Sequence, residues 1–237
     1  MNVASLMAHQ DDEMRCLGTM LKCRARGDRL WFVTLTDGSK GFVQRPDISR
    51  EEAARIRHEE MSALAAELGA EYVNLGEPDE FLYDSPDVRM KVIEAIRRTG
   101  AHVIFTHFEQ DYNADHATTA WLVRHCAMQS CLPVLPTATP PLPENPAIFM
   151  VEPFGPFGFV PTHFVDISDY EEEKVRLLGL HRSQDEAMRM TAGLKAGFQE
   201  MCRRPDAYWG AQAGCALAEA FVPMKARGAI KPFSVLP

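Results

Sequence analysis

Four short apolar runs alternate with helix-period segments through the first half of the chain, and this alternation limits the fold more than any other feature. The runs fall at residues 3–6, 30–36, 71–75 and 102–106, each β-rich and each followed by a polar turn. Between the first two, Met14, Leu17, Met20 and Leu21 recur at helical spacing, and Gly27 stands just past residue 26 where that helix is expected to end. The next segment opens with Ser49 as a cap and Glu52 at the reciprocal position, runs to residue 68, and stops at Gly69. Segments 86–98 and 116–130 complete the series. Strand–helix alternation of this kind predicts an α/β fold, a Rossmann-like and mostly parallel sheet with helices on both faces. At 237 residues, one domain spanning 1–237 is expected.

The pattern changes at Cys131. Residues 131–161 are rich in proline, including Pro140, Pro141 and Pro143, so a long loop or arm is predicted around a single apolar strand at 147–151. The aromatic run at 154–159 follows, as a wall of the substrate pocket or as a subunit contact. A short strand at 164–167, a helix over 170–180 capped by Ser168, a helix over 185–202 and an edge strand near 219–222 are expected to finish the chain.

Ligands of open α/β sheets bind beyond the carboxyl ends of the strands. Three polar loops are placed there by the alternation, at 9–13, 37–41 and 107–116. The first holds His9, Asp11 and Asp12; the last holds Asp111, Asn113, Asp115 and His116. Adjacent residues at a turn need not point the same way. One carboxylate can therefore bind a metal while its neighbour acts as a base, with His9 a second ligand and a third supplied by the later cluster. The two clusters point to a zinc hydrolase. The Gly38-Ser39-Lys40-Gly41 piece lacks the spacing of a phosphate loop, and no Gly-x-Gly-x-x-Gly follows the first strand, which argues against a dinucleotide enzyme.

A net charge of -8 argues against nucleic acid as a partner, since phosphates call for clustered Lys and Arg. No stretch is long and apolar enough to span a membrane, and no signal segment is visible, so a cytoplasmic protein is expected. Six cysteines form no Cys-x-x-Cys pair and are expected to be reduced and packed.

The Ala-His-Gln-Asp-Asp-Glu motif at 8–13 and Asp-Tyr-Asn-Ala-Asp-His at 111–116 resemble the LmbE/PIG-L family of zinc-dependent N-deacetylases. Thr36-Asp37-Gly38, the Arg57–Glu60 helix ending at Leu68-Gly69, Asp79, and Val165–Ser168 with Lys174 and His181–Gln184 are similar to further family segments in the same order. The resemblance implies His9, Asp12 and His116 as zinc ligands and Asp11 as the general base. It implies Asp115 as a residue that steadies a ligand or base, and Arg57 and Asp79 as contacts to sugar hydroxyls. His107 is a further candidate beside the substrate. The substrate implied is a small N-acetylated amino sugar or its conjugate, and a homo-oligomer, trimer or hexamer, is expected.

Two departures stand out. Gln10 occupies the place of the family's turn proline. Asn113 occupies the place of a histidine that assists as acid or oxyanion stabiliser; an amide donates a hydrogen bond but shuttles no proton. Asp11 is then expected to make every proton transfer, unless His107 or His163 substitutes. Asn113 is either an oxyanion donor or a turn-forming side chain holding its own backbone. Alternatives are a non-sugar N-acyl substrate and a metal-binding pseudoenzyme weakened at Asn113. Two histidines and an aspartate also suit Fe2+ or Co2+.

Overall fold

Asn2–Met7 (β1) is the strand around which the sheet is built. In the computed structural model, which describes residues 1–155, 158–191 and 197–225, it pairs in parallel with Arg29–Thr36 (β2) on one side and Val103–Thr106 (β4) on the other. Glu71–Glu77 (β3) lies outside β2 and Ala147–Val151 (β5) outside β4, both parallel. Ala218–Met224 (β7) then runs antiparallel to β5, and His163–Asp166 (β6) closes that edge antiparallel to β7. The order is β3-β2-β1-β4-β5-β7-β6. The expected edge strand is thus internal. Its second neighbour comes from a distant part of the chain, a pairing no local pattern reveals.

Both faces of the sheet are covered, which is why the strands read as near-continuous apolar runs. Val3 and Met7 point into one core and Ala4 and Leu6 into the other, following the two-residue strand period. Pro86–Thr99 (α3) and Ala114–Gln129 (α4) cover one face through Val92, Ile96 and Val123. Leu17–Ala25 (α1), Arg50–Leu68 (α2), Glu171–Leu178 (α5) and Phe198–Ala213 (α7) cover the other through Leu17, Leu64, Leu177 and Phe198. Arg182–Thr191 (α6) packs near α2. The Ser49 cap forms as expected, its Oγ accepting the Glu52 N–H at 3.2 Å.

Several local expectations need correction. Asp12–Arg15 form a 3₁₀ turn, and α1 starts only at Leu17, because the carboxylates of the motif are drawn into contacts that a regular helix cannot reach. Ser168 does not cap α5; its hydroxyl bonds Asp166 Oδ1 at 2.6 Å, and Tyr170 holds the cap position without a side-chain bond. The single helix expected over 185–202 does not form. Gly197 has φ 54°, and a new helix starts at Phe198 and continues through Pro205 to Ala213. The stretch 192–196, like Pro156 and Phe157 of the aromatic run, lies outside the described residues.

The proline-rich segment before β5 is tied down by one buried cation. Arg97 of α3 donates to the carbonyls of Ser130, Leu132 and Leu135 at 2.9, 2.7 and 2.9 Å. Proline-rich coil has few backbone partners of its own, and a guanidinium with five donors in a fixed fork can satisfy several carbonyls at once. No helix among the described residues is long and apolar enough to cross a membrane.

Candidate metal centre

The chain leaves β1 toward β2 and β4 toward β5, in opposite directions across the sheet, so a crevice opens between the carboxyl ends of β1 and β4. The turn after β1 is bent by Asp11, a non-glycine residue at φ 106°. Glu13 supports it: its Oε2 accepts the Asp11 N–H at 2.9 Å, while Oε1 lies 2.6 Å from His181 Nε2. The bend turns Asp12 back, so that its Oδ2 accepts the His9 N–H at 2.8 Å. After β4, Asn113 caps α4, its Oδ1 accepting the N–H groups of Asp115 at 2.8 Å and His116 at 3.1 Å. This places His116 in the first helical turn, aimed at the β1 loop.

The two loops meet in a triangle of donor atoms. His9 Nδ1 lies 3.2 Å from Asp12 Oδ2 and 3.2 Å from His116 Nε2, and His116 Nε2 lies 3.3 Å from Asp12 Oδ1. Donors about 2.0–2.1 Å from a tetrahedral ion are separated by roughly 3.3 Å, so these residues fit one divalent cation without rearrangement. The outer ring nitrogens fit as well. His9 Nε2 is 3.0 Å from Asp79 Oδ1, and His116 Nδ1 is 3.0 Å from Asp111 Oδ2. A carboxylate on the far nitrogen fixes which nitrogen of a ligating imidazole faces the metal. Two overlapping groups, His107–Asp111–His116 and His9–Asp79–Asp115, flank the triangle.

The electrostatics have the same sense. Burial disfavours charge on both imidazoles, yet the carboxylates outweigh it: Asp115 and Asp12 raise His9 well above its ordinary value, and Asp12 with Asp111 raises His116 to about 9. Burial acts against Asp12 too, but His116 and His107 hold it well below the usual carboxylate range. This much negative charge attracts protons or a cation. Asp11 differs from Asp12: burial pushes it up to about 6 despite the Arg57 guanidinium. Two neighbouring carboxyls with such different affinities for a proton suit different tasks.

Arg57 is only 2% exposed and reaches the turn from α2. Its Nη2 donates to the Gln10 carbonyl and lies 3.3 Å from Asp11 Oδ1. With Asp11, Asp12, His9, His116 and Asn113 it lines a cleft of about 200 Å³, which Tyr112, Phe154 and Lys40 border. Asp79 also borders the cleft, yet both its oxygens have protein partners, His9 Nε2 and the Lys40 N–H at 2.7 Å. Asp115 lies 3.5 Å from His9 Nε2 and accepts the N–H groups of Glu80 and Leu82 at 2.8 and 3.1 Å, which holds the loop carrying Asp79.

His107 lies behind the triangle rather than in the cleft. Its ring stacks on His116 with centroids 3.9 Å apart, and Nε2 accepts the Ala8 N–H at 2.9 Å. Burial, with His116 alongside, lowers it to about 4. His163 is on β6, at the far edge of the sheet, against Phe149. Three residues of the quoted segments have partners that the sequence did not foretell: Asp111 on His116, Glu13 on Asp11, and His181 behind Glu13. Spacing carries no signal for the last, whose partner is 168 residues away.

A family model described as PIG-L, GlcNAc-PI de-N-acetylase, matches residues 5–127, more than half of the chain. The chain belongs to the PIG-L family. Its fold is that of other PIG-L (LmbE-like) proteins of known structure. A conserved protein of Thermus thermophilus shares 26% identity, with 97% of each chain covered and a TM-score of 0.79. The N,N'-diacetylchitobiose deacetylase of Pyrococcus horikoshii shares 24% identity over 99% of this chain and 88% of its own, with a TM-score of 0.80. A 4-carboxy-2-hydroxymuconate hydratase of Pseudomonas putida shares 18% identity over 98% of this chain and 100% of its own, with a TM-score of 0.79. The fold of this chain is thus also that of a hydratase, so the fold by itself does not assign the reaction.

Proposed function

We propose that the chain is a metal-dependent hydrolase that removes an acetyl or other acyl group from the nitrogen of an amino sugar or its conjugate. The observation that carries this reading is the His9–Asp12–His116 triangle with Asp11, a carboxyl of raised proton affinity, beside it on the same cleft. Membership of the PIG-L family and the likeness in fold to a chitobiose deacetylase support it.

His9 Nδ1, an Asp12 oxygen and His116 Nε2 would hold the cation, zinc being the ion most often bound by such a set with a fourth position open. Such an ion polarises an acyl oxygen and acidifies water. The remaining work falls to side chains. Asp11 takes the proton of the attacking water and passes it to the leaving nitrogen, for which a carboxyl near 6 is poised close to neutrality. Arg57 orients Asp11 through the Gln10 carbonyl and the carboxylate itself. The helix cap engages Asn113 Oδ1 and not its Nδ2, and Asn113 lines the cleft, so its amide N–H would serve as donor to the oxyanion that develops on the acyl oxygen. The cleft admits one ring-sized group beside the triangle, which leaves the rest of a conjugate outside.

The test is amine release from a panel of N-acetylated sugars and non-sugar amides by zinc-loaded protein, with chelated protein and Asp11→Asn as controls. Turnover of the sugars that disappears in both controls is expected. Turnover that survives chelation, or is confined to non-sugar amides, sinks the reading.

A further inference from the structure

The loop between β2 and α2 carries a second hollow, of about 260 Å³, lined by Ser39, Lys40, Phe42, Val43, Arg45 and Arg50 among others. We propose that this hollow is an anion subsite that receives a carboxylate or phosphate on the part of the substrate remote from the amide. The inference rests on the deacetylase reading for the identity of the amide, and on the hollow itself for the anion.

Three cations line the hollow and no carboxylate does. Asp37 pins Arg50, accepting from Nε at 2.7 Å and Nη2 at 2.6 Å, which fixes one guanidinium in place. Lys40 and Arg45 form no ion pair among the described residues, whereas Arg24, Arg29, Arg55, Arg89 and Arg124 each hold a carboxylate at 3.2 Å or less. Glu52, which senses Arg45, is itself held by Arg55. In a chain of net charge -8, two cations without paired carboxylates on one short loop are notable.

A second observation is independent of charge. Ser39 is 8% exposed, its N–H is bound to Asp37 Oδ1 at 3.0 Å, and its buried hydroxyl has no hydrogen-bond partner. A buried hydroxyl without a partner is costly, and an anion's oxygen supplies the missing acceptor. Phe42 and Val43 form an apolar wall that strengthens the attraction by excluding water. Lys40 lines both this hollow and the candidate metal cleft, which places the two on either side of one residue.

The experiment compares kcat/KM for N-acetylglucosamine 6-phosphate, N-acetylmuramic acid and neutral methyl N-acetylglucosaminide. The proteins are the wild type, Arg45→Met, Ser39→Ala and the double variant Lys40→Met/Arg45→Met, with titration calorimetry of glucosamine 6-phosphate alongside. We expect both anionic substrates to be preferred, and the anionic-to-neutral ratio to fall about fivefold or more in the double variant and with rising salt. A preference for the phosphate alone, or for the carboxylate alone, lost in the same variants, supports the subsite and names its source. Equal efficiency on all three substrates, or a ratio unmoved by the substitutions, overturns it. If no amide is hydrolysed but glucosamine 6-phosphate binds and the double variant weakens that binding, the subsite stands and the deacetylase reading falls. Neither turnover nor binding overturns both.

Discussion

Glu13 Oε2 accepts the backbone N–H of Asp11 at 2.9 Å and so holds Asp11 at φ 106°, a conformation that few residues other than glycine adopt. The carboxylate next to the triangle of candidate ligands depends on a bond made to its main chain, and His181, 2.6 Å from Glu13 Oε1, fixes the side chain that accepts it. Replacing Glu13 by Ala is expected to lower kcat by about 10–100-fold, the usual cost when a group that orients a reacting one is lost. Glu13→Gln keeps an acceptor for the N–H and should recover much of the loss. Steady-state kinetics with circular dichroism check this; equal kcat in wild type and Glu13→Ala goes against the role.

Asp11→Asn should separate stability from activity. Asn tolerates positive φ and carries no buried charge, so the melting temperature is expected to stay level or rise by a few degrees. The rate should fall by about 10²–10⁴, the contribution of a positioned base. A variant that unfolds, or that keeps its rate, contradicts the assignment.

The pH profile follows from the same residue. Asp11, pushed up to about 6 mainly by burial, acts as a base only when ionised, so kcat/KM should rise with pH and level off above about 6. A bound cation adds positive charge and moves that inflection down. Asn113 does not titrate. No alkaline limb from an imidazolium is therefore expected, and a loss of activity with a midpoint between about 6.5 and 7.5 as pH rises would argue for a histidine acid instead.

Asp111 and Asp79 face the outer nitrogens of His116 and His9, each at 3.0 Å. Asp111→Asn and Asp79→Asn are each expected to weaken metal binding by about 10–100-fold, measured by competition with a chromogenic chelator. Unchanged affinity in both would remove them from the support of the ligands.

Away from the cleft, Lys174 is fully buried between Asp206 at 2.6 Å and Glu219 at 2.9 Å, and Glu219 caps α1 through the N–H groups of Gly18 and Thr19. Lys174→Met strands two buried carboxylates and should destabilise the fold by about 3–5 kcal/mol in denaturant unfolding. Burial, with Glu219 alongside, pushes Asp206 up to about 7 despite the lysine. Its native value thus lies above the unfolded 3.8, so its stabilising contribution is whole below about pH 4 and lost as pH rises through 7. Asp206→Asn should flatten stability over that window; an unchanged slope assigns it to other groups.

The strand–helix alternation was legible because each signal is local. A run of β-rich apolar residues, a capping serine and a terminal glycine act within one or two turns of chain, and Ser49 and Gly69 do what their types dictate. His9, Asp12 and His116 could be paired from the sequence only through the order of strands that alternation implies, together with the family resemblance. In two places a partner the pattern did not foretell took over. Ser168 looked like a cap, but Asp166 outcompetes the helix for its hydroxyl. The final strand looked like an edge, but β6 pairs with its open side.

That His9, Asp12 and His116 stand in the loops at the carboxyl ends of β1 and β4 was legible in the sequence, because strand period and turn chemistry are written in neighbouring residues. Which carboxylate serves which imidazole does not. The contact of Asp79 with His9, that of Asp111 with His116, the burial of Arg57 beneath the turn and the support of Asp11 by Glu13 and His181 were decided only in the tertiary structure. Hydrogen-bond reach is about 3 Å, and contacts of that length between distant segments depend on how the helices settle on the sheet.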